Sequence, residues 1–333
     1  MALIDLTSSF PNGKRKRTSP QADSDGKDQA VIVKSPRFWF EDGNIIFQAQ
    51  NTQFRVYKGI MTRNSKFFRE KLALPRPLGE DLVEGCSVVY LDDSEKDWVR
   101  IFAILYDSDV SYKSMTVLLP LPLLSSMLRL GKKYEIQKVY DAALERIKLE
   151  FPESLAQWDE TFPPGTGGLS RIGGHAVDLL DILLDLGVRK LLPLAYFRCA
   201  WLSVETIFRP MAREDGEAIR LPIGAIETVL SGKERLRHAV LEHRFGWVKT
   251  YTPGFHRPGC VTPLFCERSA LCTMRDSANF SAACAFLSYD VFLAQSFCQN
   301  CFAQVKAASE AGRQKIWDEL PSYFGLPAWK DLR

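Results

Sequence analysis

The sequence is poor in the residues that enzymes most often use for acid–base chemistry and metal binding. It contains only 4 histidines in 333 residues, and these form no Ser-His-Asp arrangement of the kind that nucleophilic catalysis requires. His238 and His243 are five positions apart, so a helix would place them on different faces. The Gly-rich stretch 163–174 lacks the Lys-Ser/Thr pair of a phosphate-binding loop. These absences predict a protein that is not an enzyme.

Long hydrophobic runs and a strong excess of one charge are also missing. No segment reaches the ~18 apolar residues that a membrane-spanning helix needs, and the first residues lack the basic and apolar parts of a secretory signal. The net charge of +3 is too small to indicate nucleic-acid binding without a concentrated basic face. We therefore expect a protein of the nucleus or the cytoplasm that binds neither membranes nor nucleic acids directly.

The first thirty residues are polar and contain too few apolar side chains to form a core. We therefore predict a disordered, basic N-terminal tail over residues 1–30. Four consecutive cations lie within it, and these are Lys14, Arg15, Lys16 and Arg17. A basic cluster on an exposed tail suits the groove of a nuclear import receptor. We predict a nuclear import signal, and the alternative is an ordinary solvated tail.

From residue 31 the composition becomes typical of a folded domain. The segments RFWF and NIIFQAQ are strand-like and are joined through the turn EDG, and CSVVYLDD forms a further strand. The segment DWVRIFAILYD carries Trp98, Phe102 and Leu105 at helical spacing, and two more helices follow. The pattern predicts an α+β domain over residues 31–151, in which a small sheet precedes a helical cluster.

One run in this region, FRVYKGIMTRNSKFF, combines the end of a strand with the start of a helix. Phe54 ends the strand, Tyr57 and Lys58 open the helix, and Ser65 lies two residues before Phe67. With these features the region resembles a BTB/POZ domain, in particular those of the large fungal, basidiomycete-type family, although Tyr57 stands where that family usually has His. The resemblance implies a BTB/POZ fold over residues 31–151. Its signature and core positions are Phe54, Tyr57, Lys58, Ser65, Phe67 and Phe68.

The resemblance also implies a function. BTB/POZ domains commonly form homodimers, so the segment with Phe38, Trp39 and Phe40 is expected to contact a second copy in a two-fold arrangement. The expected function is a non-enzymatic protein–protein interaction scaffold that binds itself and other proteins. Two alternatives remain within the same family. One is a substrate adaptor of a cullin-type ubiquitin ligase, and the other is a nuclear transcriptional co-regulator.

The second half of the chain has the pattern of a helical domain. Residues 152–174 include a stretch rich in Pro and Gly and are predicted to form a linker. Segments such as HAVDLLDILLDLGV and PIGAIETVLSGKERLRHAVLEHRFGWVKT show apolar residues at helical spacing. We therefore predict a mostly α-helical C-terminal domain over residues 175–333.

The cysteines carry the densest chemical signal of the C-terminal half. Without a secretory signal, the eight cysteines are better explained as thiols or metal ligands than as disulfides. Positions i and i+3 bring two sulfurs to the same side of a helix or turn, as a tetrahedral Zn²⁺ site requires. Cys298 and Cys301 in CQNC have this spacing, whereas Cys260 and Cys266 in CVTPLFC are six positions apart around a Pro-containing loop.

The two pairs together predict a closed, structural zinc site that holds a loop against a helix. Cys272 and His256 lie nearby in the sequence and are candidate substitute ligands. The alternative is that these cysteines act as small hydrophobic residues in a helical core.

Overall fold

The structure is a computed structural model, and it describes most of the chain after residue 30. The described ranges are 31–74, 82–107, 119–163, 176–212, 218–250, 258–276, 281–287 and 295–332. The predicted tail with its basic cluster at 14–17 lies outside these ranges, and so does His256. Within them the chain is a mixed α and β protein, as the sequence predicts. None of the described helices is long and apolar enough to cross a membrane.

A five-stranded sheet forms the N-terminal part of the fold. Its strands are β1 (Val33–Trp39), β2 (Ile45–Ala49), β3 (Thr52–Val56), β4 (Leu82–Val83) and β5 (Cys86–Leu91). Their spatial order is β1-β3-β2-β5-β4, so β1 and the very short β4 are the edges. β2 and β3 form an antiparallel hairpin, whereas β1 pairs with β3, and β5 with β2, in parallel. The hairpin register places Phe47 opposite Phe54, and both rings point into the core.

Five helices share a core with the inner face of this sheet. They are α1 (Lys58–Asn64), α2 (Lys66–Lys71), α3 (Glu95–Tyr106), α4 (Leu121–Lys133) and α5 (Gln137–Lys148). The core is aromatic, and the ring centroid of Phe47 lies 5.1 Å from that of Phe68 and 6.2 Å from that of Trp98. Rings at these separations gain stacking or edge-to-face interactions in addition to burial.

The rest of the described chain is almost entirely helical. Its elements are α6 (Leu155–Thr161), α7 (Ala176–Leu186), α8 (Leu192–Cys199), α9 (Val204–Phe208), β6 (Met211–Ala212), β7 (Ala218–Ile219), α10 (Ile223–Ala239), α11 (Pro263–Asp276) and α12 (Gln299–Tyr323). The long α12 packs against α8, α10 and a π-helical turn, Val240–Arg244, that continues α10. The approach is so close that a Cβ at Gly312 would lie 2.3 Å from the carbonyl oxygen of His243.

Of the segment predicted as a linker, residues 152–174, the structure describes residues 152–163, and residues 164–174 lie outside the described ranges. The described part contains α6, and the rings of Trp158 and Phe162 are both buried. The Trp158 ring centroid lies 5.6 Å from that of Phe197 in α8 and 6.2 Å from that of Trp317 in α12. The two buried rings are one helical turn apart, and their burial favours a helix despite the Pro and Gly residues that follow. The N-terminal sheet with its helices and the C-terminal helices therefore share one continuous core.

Polar contacts also join the two parts. Arg198 of α8 pairs with the buried Glu150, which follows α5, at 3.1 Å. Lys132 of α4 donates to the carbonyl oxygen of Leu186, at the end of α7, at 2.7 Å. A buried ion pair tolerates little misalignment, because separating the partners would leave buried charges without compensation. These contacts fix how the C-terminal helices meet α4 and α5.

Candidate metal centre

Four cysteines from two segments of the C-terminal half lie close together. The Sγ atoms of Cys260, Cys266, Cys298 and Cys301 all lie within 4.8 Å of one another, and those of Cys260 and Cys298 are 3.9 Å apart. A tetrahedral zinc ion with Zn–S bonds of about 2.3 Å would hold its sulfurs roughly 3.8 Å apart. The spacing is compatible with one tetrahedral ion. The predicted clustering of the two pairs is therefore confirmed.

Two helix starts position the four sulfurs. Cys298 is the N-cap of α12 and Cys301 lies in its first turn, so their i, i+3 spacing brings both to one side. Cys266 lies in the first turn of α11, and Cys260 precedes that helix. The N–H groups at a helix start carry partial positive charge, which favours thiolates at these positions.

The surroundings of the cluster favour thiolates unequally. Burial opposes ionisation of Cys298, but hydrogen bonds from the N–H groups of Cys301 and Val261 and from neighbouring thiols lower its pKa to about 6. Burial raises the pKa of Cys260, although the Cys301 thiol and the Thr262 N–H act in the opposite direction. Of these two partly exposed ligands, Cys298 is therefore the one that more readily carries a negative charge before a metal binds.

The remaining cysteines take no part in this cluster. Cys86 and Cys199 are buried elsewhere, and Cys272 and Cys284 are half-buried. Cys272, the candidate substitute ligand, lies six residues beyond Cys266 on α11 and does not belong to the group. In the described part of the chain, no other group of three or more His, Cys, Asp or Glu side chains lies close enough to hold a metal.

The lowered pKa of Cys298 predicts its reactivity in metal-free protein. At pH 7 its thiol should be largely ionised and should react quickly with iodoacetamide, and the reaction should slow as the pH falls below the pKa of about 6. Cys199 is the internal control, because burial raises its pKa to about 12 and its side chain is inaccessible. Peptide mass spectrometry after brief alkylation at pH 5, 7 and 8 measures both sites. Labelling of Cys298 that still rises about tenfold between pH 7 and pH 8, as expected of an ordinary thiol with a pKa of about 8.5, would contradict the prediction.

The residues that carry the BTB/POZ resemblance pack within the N-terminal unit. Phe54 and Phe68 are fully buried. The Ser65 hydroxyl accepts a hydrogen bond from the Phe68 N–H (3.0 Å) and donates to the carbonyl oxygen of Tyr134 (2.6 Å), so it caps α2 and ties it to the end of α4. Phe67 lies edge-on to Tyr134, with ring centroids 5.3 Å apart. The roles of these four residues are therefore structural.

Tyr57 and Lys58 complete the motif at the start of α1. The Lys58 ammonium donates to the carbonyl oxygen of Leu72, at the end of α2, at 2.8 Å. The Tyr57 hydroxyl donates to the Asp42 carboxylate at 2.6 Å, and this hydrogen bond raises the pKa of the phenol. Tyr57 thus reaches an acceptor at the surface. The sequence gives no signal for the partner of Lys58, because any residue offers a backbone carbonyl.

The predicted dimer-interface residues lie at the end of the edge strand β1. Phe38 is 1% exposed and packs inside its own chain, 5.7 Å from the ring of Phe102. Phe40 stacks on Tyr57 at 5.1 Å, whereas the half-buried Trp39 belongs to the small cluster on the opposite face of the sheet. A second copy pairing with β1 would therefore meet the edge of the strand and Trp39 rather than the other two rings. The dimer contact itself stays a prediction.

No family model, curated protein or solved structure matches the chain. The four-cysteine cluster and the packing of the N-terminal sheet are therefore the observations on which a functional proposal rests.

Proposed function

We propose that this protein is a non-enzymatic protein–protein interaction scaffold of the BTB/POZ type, whose helical C-terminal part is held in shape by a structural zinc ion. The N-terminal unit, residues 31–151, binds a second copy of the chain. The C-terminal unit presents a surface to other proteins. Dimerisation then doubles that surface, so that weak individual contacts act together.

The observation that carries the zinc proposal is the completeness of the cysteine set. Four thiolates fill every position of a tetrahedral ion, so no position is open for a water molecule or a substrate. Zinc sites of this closed type stabilise folds, whereas catalytic zinc sites keep one position open. Thiolate ligands also favour zinc over magnesium or calcium, which bind oxygen. The donor set therefore supports a stabilising role for the metal.

The open edge of β1 supports self-association. Val31 and Ile32 directly precede this strand and Val33 begins it, and the three are 79%, 53% and 49% exposed. An exposed edge strand offers its backbone donors and acceptors to another strand. Pairing of two such edges around a two-fold axis would cover these side chains in both copies.

Replacing Ile32 with lysine is expected to weaken self-association by roughly tenfold, about 1.4 kcal/mol, because a charge directly before an edge strand opposes pairing. Size-exclusion chromatography with light scattering should give the wild-type chain twice its mass of 37.7 kDa at micromolar concentration. Ile223→Lys is the matched control, since this isoleucine of α10 is 76% exposed and should leave the dimer unchanged. A monomeric wild-type protein would remove the dimer from the proposal.

Affinity purification of the tagged protein from its own cells, followed by mass spectrometry, separates the scaffold from its alternatives. Co-purification of self and of other proteins supports the scaffold. A stoichiometric cullin would instead identify a ubiquitin-ligase adaptor. Chromatin or repressor proteins without a cullin would identify a nuclear co-regulator.

A further inference from the structure

A hydrogen bond between the loop before α11 and the first turn of α12 joins the two segments that carry the four cysteines. Asn300 lies between Cys298 and Cys301 in CQNC, and its side-chain Nδ2 donates to the carbonyl oxygen of Gly259. Gly259 immediately precedes Cys260. The bond therefore joins the two pairs of cysteines across 41 positions of the chain, and it does so without using a sulfur atom.

Gly259 has the conformation and the space that this contact requires. Its φ of +77° lies in the left-handed region, which residues other than glycine rarely adopt. A Cβ at this position would also lie 3.0 Å from the Asn300 Nδ2, closer than ordinary contact distances. Both backbone conformation and space therefore favour glycine at the point where Asn300 is bound.

Two other contacts join the same segments, but both involve a candidate ligand. The Cys298 N–H donates to the Cys266 Sγ at 3.3 Å, and the Cys298 Sγ lies 3.9 Å from the Cys260 Sγ. Neither contact can be removed by changing a side chain without changing a candidate ligand. The bond from Asn300 to Gly259 can be removed in this way, because neither of its atoms is a ligand.

We propose that Asn300 is a positioning residue for metal binding, and that its hydrogen bond holds the loop at 259–266 against the turn at 298–301. This inference rests on the proposed zinc site. Without the bond, the metal itself would have to order the loop, and part of the binding free energy would be lost to that ordering. Groups that orient metal ligands typically contribute 10–100-fold to metal affinity. We expect a loss of about this size when residue 300 can no longer donate.

The test uses the full chain, stripped of metal under reducing conditions and titrated with Co²⁺ and then with Zn²⁺. Co²⁺ held by four thiolates absorbs strongly, so one titration reports both affinity and ligand geometry. Asn300→Ala should weaken zinc binding by about 10–100-fold and speed zinc transfer to a chromophoric chelator, while the spectrum at saturating Co²⁺ keeps its shape. Asn300→Asp, which has nearly the same shape but cannot donate, should lose at least as much.

Gln299→Ala is the matched control for both variants. Gln299 is an exposed neighbour on the same turn, and its truncation should leave zinc affinity unchanged. Because Asn300 is also exposed, its variants should fold normally. A change in the Co²⁺ spectrum of Asn300→Ala would show a lost ligand rather than a lost positioning contact, and would overturn the inference.

A double-mutant cycle tests the pairing of the two residues. Gly259→Ala alone should weaken metal affinity, because its Cβ would crowd the Asn300 Nδ2 and its backbone would be strained at φ +77°. Adding Asn300→Ala should weaken the affinity little further, because the hydrogen bond is already disrupted. Additive losses, or zinc binding by both Asn300 variants within twofold of the wild type, overturn the inference and leave the zinc site standing. A wild-type chain without a tetrahedral thiolate spectrum overturns the zinc site and the inference together.

Discussion

Removing zinc with a chelator, or replacing Cys301 with serine, should cost the C-terminal half much of its stability. Structural zinc contributes apparent binding free energies of about 10–16 kcal/mol in zinc-finger peptides at pH 7. Here the two cysteine pairs are also joined by protein contacts, so the effect should be smaller. We expect a loss of at least about 4 kcal/mol in the free energy of unfolding, the value for a ligand present at a thousand times its dissociation constant.

Thermal unfolding of three proteins, each with and without chelator, decides this prediction. The wild type should unfold at lower temperature after chelation, whereas Cys301→Ser should be destabilised from the start and insensitive to the chelator. Cys272→Ser is the matched control, because this half-buried cysteine of α11 lies outside the cluster. It should keep the wild-type response to chelation. If chelation leaves the wild type unchanged, the four cysteines act as small hydrophobic core residues and the zinc proposal fails.

The cysteine cluster could be predicted from the sequence because half of its signal is local. Cys298 and Cys301 are three positions apart, and any helix start or tight turn brings their sulfurs to one side. Cys260 and Cys266 are six positions apart and complete the prediction, because a tetrahedral ion needs four ligands. Asn300 carries no comparable signal, because its partner is a backbone carbonyl 41 positions away. The glycine directly before Cys260 was the available hint of a positive-φ turn.

The sheet and the helices of the N-terminal part were predictable as elements, but their arrangement was not. Alternating and helical spacing identify strands and helices from neighbouring residues alone. The parallel pairing of β1 with β3 instead places Val33 beside Thr52, and no local pattern encodes that register. The π-helical turn Val240–Arg244 is similar, since the sequence predicts a continuous helix there. The backbone of α12 approaches this turn at Gly312, a contact between segments far apart in the chain.

Within the predicted linker, residues 152–163 are described by the structure, and they include the helix α6. The Pro and Gly residues that indicate a loop lie mostly after residue 162. Trp158 and Phe162, one turn apart, were the signal for a buried helix. Their ring centroids are 4.6 Å apart, and both pack into the core of the C-terminal part. These two residues of the predicted linker therefore belong to the core.

Replacing Trp158 with alanine should reduce the free energy of unfolding by about 3–5 kcal/mol, the usual cost of deleting a buried tryptophan. The ring is 4% exposed and packs against Phe197 and Phe286. Asp159 of α6 forms an ion pair with Arg313, and the Arg313 side chain is 3% exposed. Loosening α6 would also weaken this ion pair. A buried guanidinium that loses a partner adds to the cost.

Denaturant unfolding followed by circular dichroism should show more than a shifted midpoint in this variant. With α6 loosened, the C-terminal half should unfold before the N-terminal unit, and one transition should become two. Trp201→Ala is the matched control, because this half-buried ring also contacts Phe197, at a centroid distance of 5.4 Å. Its loss should cost less and should not separate the transitions. If residues 152–174 acted only as a linker, Trp158→Ala would be a surface change worth less than about 0.5 kcal/mol. That result would indicate two independent domains. Loss of zinc would then destabilise only the C-terminal domain.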